Sequence, residues 1–551
     1  MRSTEVSAPG LPEVAPGELR QMLGDGRELA LLDLREELIF SRGHLLLARS
    51  LPLSRLELGI ARLVPRLGTR IVLCDDADGP AERGAAVLRR GGYTNLSVLA
   101  GGVAAWAAAG LELFSGVNVP SKAFGELVEH RSHTPSIAAE ELDRLMRDGH
   151  DLVVVDSRPF DEYSRISIPT ATNVPGAELV LRIRDIAPSP QTLVVVNCAG
   201  RTRSIIGAQS LIDAGVPNRV VALRNGTMGW NLAGFVCDSG KDRRAPDPSA
   251  EGLAWAMSAA ERMMRRHGVT RIDRPTLDRF RAESRDRSLY LLDVREPAEY
   301  GAGHVAGAVS APGGQLVQAT DQYVGTLGAR IVLADDRLVR AAMTASWLRR
   351  MGWRDVFVLA EPGNETGWPE APVVGAAAMP ELGIDATDLS ARLVEDGTTV
   401  IDLSLSRSYA AAHIPGAWFA IRSRLAQALD RIAPRGAIVL TSEDGILAAL
   451  AVPEAHAASG RAVHFLAGGN AAWRAAGRAL TSADPRMADE PVDVWLKPYE
   501  QPGNTRTAMA EYLAWETDLL PRIERDGYLA SAADLKFLSD VRRARHRNFK
   551  S

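Results

Sequence analysis

LVVVNCAGRTRSIIGAQSL, residues 193–211, holds three kinds of sequence in succession. Leu193–Val196 is a continuous apolar run rich in valine, which suits a strand buried on both faces of a parallel sheet. Cys198-Ala199-Gly200-Arg201-Thr202-Arg203 is a short polar loop with one cysteine and two arginines. Ser204 then opens a predicted helix in which Ile205, Ala208, Leu211 and Ile212 recur at helical spacing, and Gly215 is placed to end it. A buried strand, a tight loop and a helix form the repeating piece of an α/β fold with a parallel sheet.

A thiol in that loop faces unpaired backbone N–H groups and the positive end of a helix dipole. Arg201 and Arg203 add two permanent charges. Such surroundings draw a cysteine pKa from about 8.5 toward roughly 3.5–7.5, so Cys198 is expected to be a reactive thiolate that meets an anion. A lone cysteine after an apolar strand is ordinarily a small buried hydrophobe. Gly200, the arginines and the helix start are what set Cys198 apart.

Composition narrows the function. With 64 basic against 68 acidic residues the formal net charge is −4, which gives no electrostatic case for nucleic acid. The three cysteines, Cys74, Cys198 and Cys237, form no CxxC pair and lie near no histidine cluster. Neither a disulfide framework nor a metal site is expected, and a reducing compartment suits them. The opening MRSTEVSAPGLPEVAPGELR has no apolar core of a signal sequence, and no run reaches the roughly 18 apolar residues of a membrane span. A cytoplasmic protein without membrane contact is expected.

The same pattern is written four times. The first unit contains LALLDLREE (29–37), RIVLCDD (70–76) and LSVLAGGVAAWAAAG (96–110). The second contains DLVVVDSRP (151–159), TLVVVNCAG (192–200) and VVALRNGTMGWNLAG (220–234). The third contains LYLLDVREP (289–297), RIVLADD (330–336) and VFVLAEPGNETGWPEAP (356–372). The fourth contains TVIDLSLSR (399–407), AIVLTSEDG (437–445) and VHFLAGGNAAWRAAG (463–477). Each runs a strand ending in Asp, an irregular turn, a second strand, a helix, a third strand and a glycine-to-tryptophan close. The expected domains span 15–115, 136–240, 270–375 and 383–482, each a small parallel sheet flanked by helices. Gly116–Ser136 and Cys237–Glu251 read as linkers, and Pro372–Gly383 as a packed connection. Two helices are expected between 251 and 285. Residues 483–551 form a helical extension, with a helix over Asn504–Asp526 capped by Asn504 and bent or shortened by Pro521. Its Met509, Tyr512/Leu513, Leu519/Leu520 and Ile523 share one side, and it either docks on the repeats or supports a homodimer. The basic Arg542–Lys550 reads as a solvated face.

The cysteine loop, the Asp-x-Arg strand ends (Asp33/Arg35, Asp156/Arg158, Asp293/Arg295) and the tryptophan close together resemble rhodanese-family sulfurtransferases, over roughly residues 15–480. The resemblance implies a double displacement. Cys198 attacks the outer sulfur of thiosulfate or a persulfide, and cyanide or a thiol then removes the sulfur from the cysteine persulfide. Loop groups from Ala199, Gly200, Arg201, Thr202, Arg203 and Ser204 would hold the anion. Arg203 would orient the donor and Arg201 would steer it from the rim. No cofactor or metal is implied. Aligned at the second strand, Ala334 and Thr441 stand where units one and two have Cys74 and Cys198, and acids follow Cys74, so the second unit is expected to be the catalytic one. The Asp–Arg pairs and the histidines His44, His304 and His413 read as structural, because they occur in units without a competent thiol. Two other readings remain: a cysteine phosphatase or arsenate reductase, whose loop needs one residue more between Cys and Arg, and a persulfide relay or scaffold.

Overall fold

The computed structural model describes residues 10–363, 365–366, 372–394, 397–501 and 503–527. In the second domain the strands are β1 (Ser136–Ile137), β2 (Leu152–Asp156), β3 (Thr172–Asn173), β4 (Leu193–Asn197) and β5 (Val220–Leu223). They pair in the order β1-β5-β4-β2-β3, all parallel. The valine-rich β4 lies at the centre, which is why its side chains are apolar on both faces. The three other domains repeat the arrangement with central strands Ile71–Cys74, Arg330–Ala334 and Ile438–Thr441. This is an α/β fold written four times. The sequence pattern shows only the three longer strands of each domain. The flanking strands are two or three residues long, too short to carry a periodicity.

The chain divides into two compact units. One comprises Met1–Gln21, Ala30–Val117 and Ala371–Trp495 and holds the first and fourth domains. Within it Arg422 donates to both carboxylate oxygens of Glu57, at 2.8 and 2.9 Å, and pairs with Glu454 at 2.6 Å. The other comprises Met22–Leu29, Asn118–Glu370 and Leu496–Ser551 and holds the second and third domains. Its helices are α1 (Val119–Ser132), α2 (Thr202–Ala214), α3 (Ala250–His267), α4 (Val339–Arg350) and α5 (Thr505–Asp526). Helices α2, α3 and α4 share one apolar core that includes Leu211, Ala256, Met263 and Leu348. Trp347 donates to the Ser210 hydroxyl at 2.8 Å across that core.

Several connections differ from expectation. The stretch read as a linker after the first domain contains α1, whose Ala123, Phe124, Leu127 and Val128 are buried. Its apolar side chains are spread around the helix because α1 is buried on more than one side. The connection after residue 372 is largely exposed rather than packed; Val374 is its main contact with an apolar core. Helix α5 starts at its Asn504 cap, which accepts from the Arg506 and Thr507 N–H groups, but it runs through Pro521 to Asp526. Met509, Leu513, Leu519 and Ile523 are buried, so the helix docks on its own unit, against α1. The basic Arg542–Lys550 lies outside the described residues.

Candidate active site

Cys198 follows the last residue of β4, and α2 begins at Thr202. The loop between them is clamped by the segment after β5. The Thr227 N–H donates to the Cys198 carbonyl at 2.8 Å and the Met228 N–H to the Ala199 carbonyl at 2.9 Å. Asn197 ties the strand end down by donating to Asp156 at 2.8 Å and to the Thr227 hydroxyl at 3.1 Å. Asp156 in turn holds Arg158 through two hydrogen bonds of 2.9 and 2.7 Å, and Arg158 donates to the Ile166 carbonyl. The same bidentate pair recurs as Asp33–Arg35 and Asp293–Arg295. It is a structural support behind the loop. The histidines belong to packing too: His44, His304 and His413 each stack on the aromatic residue four positions earlier.

The strand register corrects the alignment of the four loops. Asp156 faces Asn197, Asp33 faces Cys74, Asp293 faces Ala334 and Asp402 faces Thr441. Cys74 is therefore the counterpart of Asn197, inside its strand. The position of Cys198 is held in the other domains by Asp75, Asp335 and Ser442. These side chains show what the loop does to a negative group. Asp75 accepts from the Ala77 and Ala81 N–H groups, both at 2.9 Å. Asp335 accepts from the N–H groups of Arg337, Arg340 and Ala341 at 2.8–3.2 Å. In the first and third domains the loop is an anion cradle filled by the chain's own carboxylate.

In the second domain the cradle holds a thiol. Cys198 is 2% exposed, and its Sγ lies 3.5 Å from the Ser204 hydroxyl, which donates to the Arg201 carbonyl. Burial pushes the Cys198 pKa up, while the Arg203 charge and the Ser204 hydroxyl and N–H pull it back. The net direction is upward, not the acidification expected from two arginines. Burial is the reason: it outweighs the pull of Arg203, and Glu516 adds to it. Arg203 donates to Glu162 at 2.8 Å and to the Gln315 side chain at 3.1 Å. Arg201 does not stand at a rim; it is buried, forms a bidentate pair with Glu126 at 2.7 Å, and also contacts Glu129 and Asn225. Both arginines thus have carboxylate partners of their own.

Helix α5 covers the loop. A Cβ added at Gly200 would lie 3.0 Å from Glu516 Oε2 and 3.6 Å from the Tyr512 ring. Met509 and Leu513 pack on Met228. Lys122 of α1 lies beside the rings of Tyr512 and Trp515, 5.0 and 4.8 Å from their centres. Lys497 pairs with Glu162 at 3.2 Å. Beside Ala199 a cavity of about 110 Å³ opens between Arg158, Thr227, Met228, Tyr499 and Met509. Glu126, Glu162, Lys122, Tyr512 and Glu516 escaped the sequence reading, since their places depend on long-range packing. One sign was available: Glu516 falls among the apolar positions of its helix, where a carboxylate has no reason to be unless it faces something polar. Cys237 is half-buried at the edge of the core around Trp230, and burial raises its pKa. Among the described residues no cluster of His, Cys, Asp and Glu is arranged to hold a metal, and no helix is long and apolar enough to cross a membrane.

A parallel α/β domain with a single cysteine cradled between its central strand and the following helix defines a class of thiol-bearing anion-binding folds. The model of the rhodanese-like domain matches residues 15–109, 138–233, 276–361 and 385–476, and the chain belongs to the rhodanese-like family. It is similar to a crystal structure of thiosulfate sulfurtransferase from Pseudomonas aeruginosa, with 48% identity, 94% of this chain and 99% of that chain covered, and a TM-score of 0.91. Two curated proteins of Mycobacterium tuberculosis match over single stretches. A probable adenylyltransferase/sulfurtransferase, MoeZ, is 35% identical over 96 residues, 17% of this chain and 24% of its own length. An HTH-type transcriptional regulator is 31% identical over 94 residues, 17% of this chain and 41% of its own length. The chain thus matches less than half the length of either curated relative.

Proposed function

We propose that the chain is a sulfurtransferase that moves sulfane sulfur from thiosulfate or a persulfide to a thiophilic acceptor through a persulfide on Cys198. The observation that carries this is the cradle. The equivalent loops of the first and third domains hold the carboxylates of Asp75 and Asp335 on backbone N–H groups, and in the second domain a thiol takes that place. A terminal persulfide sulfur is an anion of the kind those N–H groups stabilise. The likeness to a thiosulfate sulfurtransferase over nearly the whole chain supports the same reading.

In the first half-reaction the Cys198 sulfur attacks the outer sulfur of the donor, and sulfite leaves from thiosulfate or a thiolate from a persulfide. In the second the acceptor attacks the terminal sulfur and Cys198 leaves as thiolate. Ala199 through Ser204 supply the N–H cradle. Arg203 acts on the sulfur and the donor by its charge. Arg201, bound to Glu126, positions the loop from behind. The first, third and fourth domains contribute no nucleophile. Three free thiols suit a reducing, cytoplasmic setting. The partners are a small anionic donor and a thiol or cyanide, and no metal or organic cofactor enters the chemistry.

The test is steady-state transfer from thiosulfate to cyanide and to glutathione with wild type, Cys198→Ser and Cys74→Ser. Turnover is expected to vanish in Cys198→Ser and to persist in Cys74→Ser. Full activity in Cys198→Ser sinks the assignment. A second reading, a carrier that passes persulfide to a partner without free turnover, is favoured by one observation: Cys198 lies buried beneath α5. It predicts stable sulfur on Cys198 with no multiple turnover.

A further inference from the structure

Glu516 is 2% exposed, and its two oxygens differ. Oε1 accepts from the Tyr512 hydroxyl at 3.0 Å. Oε2 is buried without a hydrogen-bond partner and faces the backbone of Gly200, two residues beyond the sulfur-bearing cysteine. A buried carboxylate oxygen left without a donor is unfavourable, and a fold that keeps one holds a place for a proton donor. Thiosulfate, and sulfite above about pH 8, are anions with no proton to offer there. A thiol acceptor has one.

We propose that Glu516 receives the proton of a thiol acceptor in the second half-reaction. The inference rests on the sulfurtransferase reading above. The step balances as follows. The acceptor R–SH gives its proton to Glu516 Oε2 as its sulfur attacks the terminal sulfur of Cys198–S–S⁻. The new bond is R–S–S⁻, the Cys198–sulfur bond breaks, and its electron pair leaves Cys198 as thiolate. Glu516 then releases the proton to solvent. No external oxidant or reductant is consumed. Sulfite above about pH 8 attacks as an anion and needs no such base.

The surroundings fit a carboxylate with an adjustable proton. Burial raises the Glu516 pKa, while Lys122 from α1, the Tyr512 hydroxyl on its own helix, and Arg201 and Arg203 from the cysteine loop favour the charged form. Glu126 and Cys198 are the acidic groups that feel Glu516 in turn. Tyr512 is a positioning residue: its hydroxyl fixes Oε1 and leaves Oε2 toward the loop.

The experiment measures transfer from thiosulfate to glutathione and to isotopically labelled sulfite above about pH 8, in the full chain, for wild type, Glu516→Gln and Tyr512→Phe. General-base contributions of this kind are worth at least about 100-fold. The ratio of glutathione to sulfite turnover is therefore expected to fall by about that factor in Glu516→Gln. An unchanged ratio, including a parallel loss with both acceptors, overturns the proposal. Tyr512→Phe provides the second arm. Removing the hydrogen bond that favours the carboxylate should move the acid limb of the glutathione rate to higher pH relative to wild type, and an unmoved limb counts against the role. If wild type turns over with neither acceptor, the sulfurtransferase reading itself fails, and that outcome is distinct from both.

Discussion

Gly226 adopts φ +54°, and a Cβ there would lie 2.3 Å from the Cys198 carbonyl oxygen. Gly102 and Gly469 meet the carbonyls of Asp75 and Ser442 in the same way, at 2.5 and 2.0 Å. The closing segment can turn against the loop only where a side chain is missing. Gly226→Ala is expected to cost about 1–3 kcal/mol in denaturant unfolding and to lower sulfur transfer by displacing the loop. Arg340 occupies the place of Arg203 in the third domain. It is fully buried among Asp335, Glu178, Glu299 and Asp336. Arg340→Met leaves buried Asp335 without a cationic partner, and a loss of about 3–5 kcal/mol is expected by the same measurement. At this scale the sequence discloses the loop, because Cys198, Gly200 and the arginines are contiguous. It does not disclose the upward pull on the thiol. That depends on burial and on Glu516, which reaches the loop from a helix more than 300 residues further along the chain.

Helix α5 and helix α1 wall the cysteine loop. The cap and apolar side of α5 are readable in the sequence because Asn504 and the helical spacing are local signals. Where the helix docks is not, since an apolar stripe does not name its partner. Helix α1 was hidden for the opposite reason: with burial on several sides it shows no stripe at all. Leu513 joins α5 to Met228 beside the loop. Leu513→Ala is expected to loosen this contact by about 2–5 kcal/mol, and Cys198 should then be alkylated faster by a neutral reagent while Cys74 stays protected. An unaltered rate at Cys198 would show that α5 does not limit access to the sulfur.

On the scale of the whole molecule, four repeats are plain in the sequence, but their grouping is not. The first domain shares a unit with the fourth and the second with the third, and faces that pair are chosen by residues such as Arg422 and Trp347 rather than by the repeat. The second unit also carries a pH-sensitive element. His267 of α3 is buried, and burial together with Arg350 and Arg266 lowers its pKa from 6.5 to about 4. Between these values the unfolded chain binds a proton that the folded chain refuses, so stability is complete above pH 6.5 and falls as pH drops toward 4. His267→Gln should remove this component, on the order of 3 kcal/mol, from the pH dependence of unfolding. The carboxylates in the first and third cradles have a further consequence, for stoichiometry. Under the proposed mechanism a chain of four similar domains carries a single sulfur equivalent, because Asp75 and Asp335 occupy two of the places that a donor would enter and Ser442 offers only a hydroxyl in the fourth. Quantitative release of bound sulfur should yield one equivalent per chain at any excess of donor. The other domains are then expected neither to store sulfur nor to draw the donor away from Cys198.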